Sequence, residues 1–505
     1  MSAGPLSARV AQLCDEVGPR LADGTAGQVW GVRRRLDEPL RVAVAGRLKA
    51  GKSTLVNALI GRRVAPTEVG ECTRVVTRFR YGTVDRVDVV RRDGGRVSLP
   101  LDDAGMVPQR LGVPRAEIGY VDVTVTSDRL RDLTVLDTPG LASTNASVSA
   151  GARRLLFGSA RAPFDDDVDD DSVGAIAGAE AIVYVFTQSV RGDDVAALEA
   201  FRSASARLAS NPINSLGLFN KVDKLVGGAA DPWPVAGPLA ADQSVLLRRV
   251  VSDVVPVVGL LAETTEAGRL TAADCEALRA IARLPDNERM VLLASVDLFR
   301  SRDCPVPRVQ RERLLRLLDL YGVGFAVAQF AARPGLASGD LVRLLCEASG
   351  FPRLRHTLDQ AFRWRTDALK AGWALSALER LAGHAPRHRD RELLRDAIEQ
   401  VLQQPEYHRL RLLEVAQLVS TGSVELPEPM EQELTRLALS TDPRWILRLP
   451  GATPEQLARA ALDAATRWRV YAVAGASPAQ SRVAQVAHRG FFLLSQQVRA
   501  GGSLP

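Results

Sequence analysis

The chain has 505 residues, 46% apolar and 25% charged, the mix of a soluble globular protein with length for two or more domains. Its formal net charge of +6 comes with five lysines and 60 arginines, so a single arginine carries little information and a lysine is conspicuous. The five cysteines (Cys14, Cys72, Cys275, Cys304, Cys346) are scattered, which excludes a zinc-ligand or disulfide pattern, and residues 1–30 lack the basic start and apolar core of a secretory signal.

Residues 3–36 place Val10, Leu13, Val17, Leu21, Val29, Val32 and Leu36 at helical spacing. They predict one or two helices that must pack on the first domain or on a later helical bundle. Leu40–Gly61 then reads LRVAVAGRLKAGKSTLVNALIG. Val42–Ala45 is a short apolar run of the kind found in buried parallel strands. Gly46 to Ser53 fits G-x-x-x-x-G-K-[S/T], and Leu55, Val56, Ala58, Leu59 and Ile60 form the buried face of a helix ending at Gly61. In such a loop, backbone N–H groups and the helix N-terminus converge on one anion. The expected nucleotide contacts are Gly46, Lys49, Ala50, Gly51, Lys52, Ser53 and Thr54. Lys52 would reach the β- and γ-phosphates, and the Ser53 hydroxyl would bind Mg²⁺.

From Arg41 to about Phe362, strands and helices are expected to alternate as a doubly wound α/β sheet. The predicted strands are Val42–Ala45, Val75–Arg80, Val84–Arg91, Val121–Thr126, Leu133–Leu136, Ile182–Phe186, Ser215–Phe219 and Val254–Val258, with a helix over Asp193–Leu208. After the phosphate loop, Thr67, Thr73 and Thr77 compete as the switch threonine that closes on Mg²⁺ and the γ-phosphate; Thr73 is preferred. Asp137-Thr138-Pro139-Gly140 ends the strand Leu133–Leu136 and fits D-x-x-G: the carboxylate holds the metal through water and the Gly140 N–H meets the γ-phosphate. The acidic run Asp165–Asp171 reads as a solvated loop rather than a metal cage.

Asn220-Lys221-Val222-Asp223 follows the next strand and fits N-K-x-D. An aspartate can accept from both N1–H and the exocyclic amine of guanine, a pair that adenine lacks. Lys221 would lie over the purine face and Asn220 would brace the loop. Gly259 and Leu260, after Val254–Val258, sit where backbone N–H groups would meet the guanine O6.

From about Arg363 strands give way to helices: Arg365–Leu381, Arg391–Val401, Tyr407–Val419, Pro429–Leu439, Pro454–Val473 and Pro478–Val498. Thr453-Pro454-Glu455-Gln456 is a capping-box start. These helices are expected to form an elongated bundle. The basic turn Gly383–Arg391 and the apolar stretch Leu320–Ala332 are the two candidates for lipid contact. The first competes with an ordinary solvated turn, the second with core packing beside the sheet, and Leu320–Ala332 is too short to span a bilayer.

In their order, GRLKAGKS, ECTR, DTPG and NKVD resemble the dynamin superfamily, and more narrowly the bacterial dynamin-like GTPases of the isoniazid-inducible mycobacterial branch. The resemblance extends to VVPVVGLLAET (Val254–Thr264), LLASVDLF (Leu292–Phe299) and SGFPRLRHTLDQAF (Ser349–Phe362), covering about residues 38–375. It implies a Mg²⁺-dependent GTPase head at 38–362, a helical neck segment at 1–37 and a helical neck and trunk at 363–505. Head pairing, a paired dynamin-like partner and an anionic membrane surface at the inner face of the cell membrane are the implied associations, from a cytoplasmic location and with no nucleic acid. The catalytic set carried over is Lys49, Lys52, Thr73, Asp137 and Gly140, with Ser53, Thr73 and Asp137 at the metal. Three departures stand out. Leu141 occupies the position where Ras-like enzymes place a water-orienting glutamine. Leu48 and Lys49 stand where dynamins put a polar pair, and Lys49 either neutralises charge between the β- and γ-phosphates or points to solvent. Gly259 stands where GTPases usually have serine or threonine. A GTP-dependent switch acting on a protein partner without lipid is the alternative, and a degenerate binder is disfavoured because Lys52, Ser53, Asp137 and Asp223 are all kept.

Overall fold

The computed structural model describes residues 4–47, 49–67, 75–138, 179–187, 215–247, 250–361, 366–402, 405–420, 422, 424–440, 442–474 and 476–499. Among them, 39–361 form one compact unit, and 4–38 with 366–499 form the other.

The first unit is built on a nine-stranded sheet: β1 (Leu40–Gly46), β2 (Thr77–Tyr81), β3 (Arg86–Arg91), β4 (Arg96–Leu99), β5 (Ile118–Val125), β6 (Leu133–Asp137), β7 (Ala181–Phe186), β8 (Ser215–Asn220) and β9 (Val254–Val257), in the order β4-β3-β5-β2-β6-β1-β7-β8-β9. Strands β6, β1, β7, β8 and β9 run parallel, β2 pairs antiparallel with β6 and parallel with β5, and β3 and β4 close the other edge as antiparallel strands. The central strands are apolar along their whole length because both faces are covered; every residue of β7 is buried. Phe186 and Phe219 stack with centroids 5.5 Å apart on neighbouring strands.

Helix α3 (Lys52–Ile60) follows β1. Beyond α4 (Trp233–Leu247) and β9 the unit is purely helical: α5 (Gly259–Glu266), α6 (Ala272–Ala282), α7 (Asp286–Leu292), α8 (Val296–Ser301), α9 (Arg308–Ala332), α10 (Ser338–Ala348) and α11 (Phe351–Ala361). Leu314, Leu318, Val323, Ala326 and Phe330 of α9 share one core with Phe186, Phe219 and Leu261. The apolar stretch Leu320–Ala332 thus packs in the core of this unit. With its charged first half, α9 is longer than that stretch, and by length and composition it is the one helix among the described residues that could cross a membrane. Two helical runs actually meet in it at Asp319, whose backbone leaves the helical region.

In the second unit α1 (Pro5–Val17) and α2 (Asp23–Asp37) share a core with α12 (Thr366–His384) and α13 (His388–Leu402), through Val10, Leu13, Val29, Leu36, Leu375, Leu378 and Leu394. Helix α1 has no side-chain cap of its own; the Asp367 carboxylate takes the Leu6 and Ser7 N–H groups at 2.9 and 2.8 Å. It thereby satisfies two orphan donors and sets a negative charge on the positive end of the helix. Gly4 leaves the room: a Cβ there would lie 2.3 Å from Asp367 Cγ. Helices α14 (Pro405–Ser420), α15 (Glu428–Leu439), α16 (Pro443–Leu447), α17 (Pro454–Val473) and α18 (Pro478–Arg499) surround a second core at Leu434, Ile446, Ala461, Trp468 and Phe491. The Thr453–Gln456 capping box forms at the start of α17. The short α16 and the residues after it leave Trp445 and Leu449 exposed, at 51% and 37%, each directly after an exposed arginine, Arg444 and Arg448.

Candidate functional site

Strand β1 ends in Gly46, whose φ of 146° belongs to glycine. A Cβ there would lie 2.1 Å from the Val185 carbonyl oxygen of β7. The loop turns back to α3 at Gly51, φ 93°, where the helix begins. Between them Lys49 takes a left-handed φ of 63° and is exposed, while Ala50 is buried. Leu48 lies outside the described residues. Lys52 is buried and folds across the loop, its Nζ donating to the carbonyls of Gly46 (3.2 Å) and Arg47 (2.9 Å). Desolvation pushes its pKa down and the Asp137 charge works against that push.

Strand β6 runs beside β1 with Asp137 level with Val44, which brings D-x-x-G against the phosphate loop. Ser53 Oγ donates to Asp137 Oδ2 at 2.8 Å, and Thr138 Oγ1 donates to the Val44 carbonyl at 3.0 Å. Desolvation lifts the Asp137 carboxyl to about 6, against the opposing pull of Lys52 and the Ser53 hydroxyl. Ser53 and Asp137 form a hard oxygen pair beside a buried lysine. That chemistry suits Mg²⁺, which binds through one or two protein oxygens plus phosphate and water and needs no cage of carboxylates. No cluster of three His, Cys, Asp or Glu that could hold a metal occurs among the described residues.

The base side is organised by Asn220 at the end of β8. Its Nδ2 donates to the Ala50 carbonyl at 2.8 Å, and its Oδ1 accepts from the N–H groups of Lys221 (2.8 Å) and Gly259 (2.9 Å). One buried amide thus ties the phosphate loop, the N-K-x-D turn and the start of α5 together. Two glycines follow from this. A Cβ on Gly51 would lie 2.3 Å from Asn220 Nδ2, and one on Gly259 would lie 2.7 Å from Asn220 Oδ1. Glycine at position 259 therefore matches how closely Asn220 packs here. Lys221 sits at φ 60° and reaches back to the Lys49 carbonyl, 2.9 Å from its Nζ. Asp223 is buried, and burial pushes its carboxyl up; Lys224 opposes that push and Asp319 adds to it. Leu260 is half-buried in the first turn of α5.

The three switch candidates separate. Thr77 is buried at the start of β2, in register with Asp137, so its backbone belongs to the sheet. Thr67 is exposed in the connection after α3. Thr73 lies outside the described residues, as do Gly140, Leu141, the acidic run and the predicted helix Asp193–Leu208. Thr54 is half-buried in the first turn of α3. Sequence reasoning passed over Asn57, which is fully buried. Its Oδ1 accepts from Val64 N (2.9 Å) and Ala65 N (2.7 Å), and its Nδ2 donates to Glu263 Oε1 (2.7 Å), fixing the chain that leaves α3.

Comparison with known proteins places the chain in a family. The Dynamin family profile matches residues 42–205. The isoniazid-induced protein IniC of Mycobacterium tuberculosis is 33% identical over 445 residues, covering 86% of this chain and 85% of its own. IniA of the same species is 34% identical over 119 residues, 22% of this chain and 18% of its own. A bacterial dynamin-like protein of Nostoc punctiforme is 30% identical over 119 residues, 21% of this chain and 17% of its own. A solved bacterial dynamin pair covers 98% of this chain and 90% of its own at 14% identity with a TM-score of 0.35, a likeness too weak to argue from.

Proposed function

Because this chain belongs to the dynamin family, as a bacterial dynamin-like GTPase related to IniC, we propose that its head binds Mg²⁺·GTP and completes hydrolysis when two heads pair at an anionic membrane surface. The observation that carries the nucleotide reading is the Asn220 amide, bonded at once to Ala50, Lys221 and Gly259. A guanine reader is useful only at a fixed distance from the phosphates, and this side chain sets that distance.

In this reading Lys52 leaves the Gly46 and Arg47 carbonyls for the β- and γ-phosphates, while loop N–H groups and the α3 N-terminus surround the β-phosphate. Ser53 would hold Mg²⁺ directly and Asp137 through water, with Thr73 completing the site; bound there, the cation neutralises charge on the phosphate oxygens. Asp223 accepts from guanine, Lys221 covers the purine face, and the backbone of Gly259 and Leu260 meets O6. Gly140 offers its N–H to the γ-phosphate. Leu141 cannot order water, so the remaining groups are Thr73, Lys49 and residues of a second head, from another copy or a paired dynamin-like protein.

Membrane contact is assigned to the helical unit, at the inner face of the cell membrane. The turn Gly383–Arg391 exposes Arg387, His388 and Arg389, while Asp390 is buried and accepts from Ala22 N. The exposed Trp445 and Leu449, directly after the exposed Arg444 and Arg448, add an apolar contact beside cations, the composition of an interfacial anchor. The test is pelleting with anionic liposomes. Wild type is expected to pellet, and Trp445→Ser with Leu449→Ser to pellet several-fold less. Equal recovery of wild type with anionic liposomes and with none favours a soluble switch acting on a protein partner.

A further inference from the structure

We propose that Asp319 is a positioning residue for guanine recognition: it holds the Lys224 ammonium off Asp223 and so keeps that carboxylate available to the base. The proposal rests on the reading of Asp223 as the guanine acceptor. Asp319 interrupts α9 with φ 52° and ψ −176°, a conformation that suits glycine and is costly for any residue with a Cβ. The break is closed locally. Asp319 Oδ1 accepts from Leu320 N at 2.7 Å, and Thr264 Oγ1, from the helix that follows Gly259, donates to the Leu317 carbonyl at 2.6 Å.

What the aspartate adds, and glycine would not, is its second oxygen. Asp319 Oδ2 accepts from Lys224 Nζ at 2.5 Å. Lys224 is the residue directly after Asp223, and its Nζ stays 3.9 Å from Asp223 Oδ2, beyond hydrogen-bond reach. Two carboxylates therefore compete for one ammonium, and Asp319 takes the hydrogen bond. Without Asp319, Lys224 has only to bend to reach Asp223, which is buried and adjacent in the chain. It would then occupy the lone pairs that guanine N1–H and the exocyclic amine need. A solvent-exposed ion pair with no further role would give no reason to keep a Cβ at this φ.

The test is titration of the full chain with GDP and ADP. Asp319→Gly relaxes the backbone and removes the carboxylate. It should melt no lower than wild type yet bind GDP about tenfold more weakly, the scale of one charged hydrogen bond lost to a competitor, with ADP binding unchanged. Asp319→Asn, which keeps a weaker acceptor, should fall between. Adding Lys224→Met to Asp319→Gly removes the competitor and should restore GDP affinity to within about threefold of wild type. GDP binding in Asp319→Gly equal to wild type overturns the proposal. So does a double variant no better than the single one, or an affinity loss that follows a lowered melting temperature. A wild-type chain with no preference for GDP over ADP defeats the guanine reading itself, an outcome separate from these.

Discussion

Replacing Asn220 by alanine removes the side chain that joins three loops, and the structure sets the scale of the damage. The Ala50 carbonyl and the Gly259 N–H lose buried partners, and Asn220 itself is only 2% exposed. An orphaned buried group costs about 1–3 kcal/mol. The Lys221 N–H is partly buried and can turn to water, so it adds little. Water entering the vacated volume offsets part of the rest, which leaves about 2–4 kcal/mol for the site. If that cost falls on the conformation that binds nucleotide, GDP affinity drops about 30-fold or more. Calorimetric titration with GDP, beside a melting curve of the same sample, measures it. Asn220→Asp keeps both accepted bonds but sets a carboxylate oxygen against the Ala50 carbonyl, so it should also weaken GDP. An Asn220→Ala chain that binds GDP within threefold of wild type would refute the view that this amide sets the spacing of the two subsites.

Asp223→Asn should lose preference for GTP and gain affinity for xanthosine nucleotides, whose base reverses donor and acceptor; competition between the two triphosphates reads this directly. Acidification should weaken Mg²⁺-dependent binding. Burial lifts Asp137 to about 6, so below that pH the carboxyl is protonated and the cation must displace a proton, and kcat/KM for Mg²⁺·GTP should fall up to about tenfold per pH unit. In nucleotide-free protein the same shift has the opposite sense. The folded state holds this proton more tightly than the unfolded chain, so the head should lose stability as pH rises from about 4 to about 6, visible in urea midpoints. Asp367→Ala should cost about 1–2 kcal/mol by uncapping α1, with hydrogen exchange rising at Leu6 and Ser7.

The elements legible in the sequence were those with a strong local signal. Eight strands lie where apolar runs stand between turns, and the Gly51 and Gly61 boundaries of α3 follow from left-handed glycines at its two ends. The edge strand Arg96–Leu99 was missed because it is four residues long and has no buried residue, so its pattern carries no hydrophobic period. The G-x-x-x-x-G-K-S and N-K-x-D patterns are legible because each is a short stretch of neighbours in the chain. The bracing of Gly259 by Asn220 joins residues 39 apart in the chain, and Asp319 lies 95 residues from Lys224; no local rule reaches either. Asp319 did leave a trace, a lone carboxylate inside the apolar run LLRLLDLYGVG, where a continuous buried helix would not keep one.

GTP turnover per head, measured from nanomolar to micromolar protein with and without anionic liposomes, tests the pairing mechanism most directly. In the proposed mechanism, pairing supplies the charge offset and water order that Leu141 cannot, a contribution worth about 10³–10⁵ in rate where it has been measured. Turnover per head should therefore climb with protein concentration and climb further on liposomes, while Thr73→Ala binds GTP and stays slow at every concentration. A flat turnover per head across that range, together with a fully active Thr73→Ala, would contradict the account.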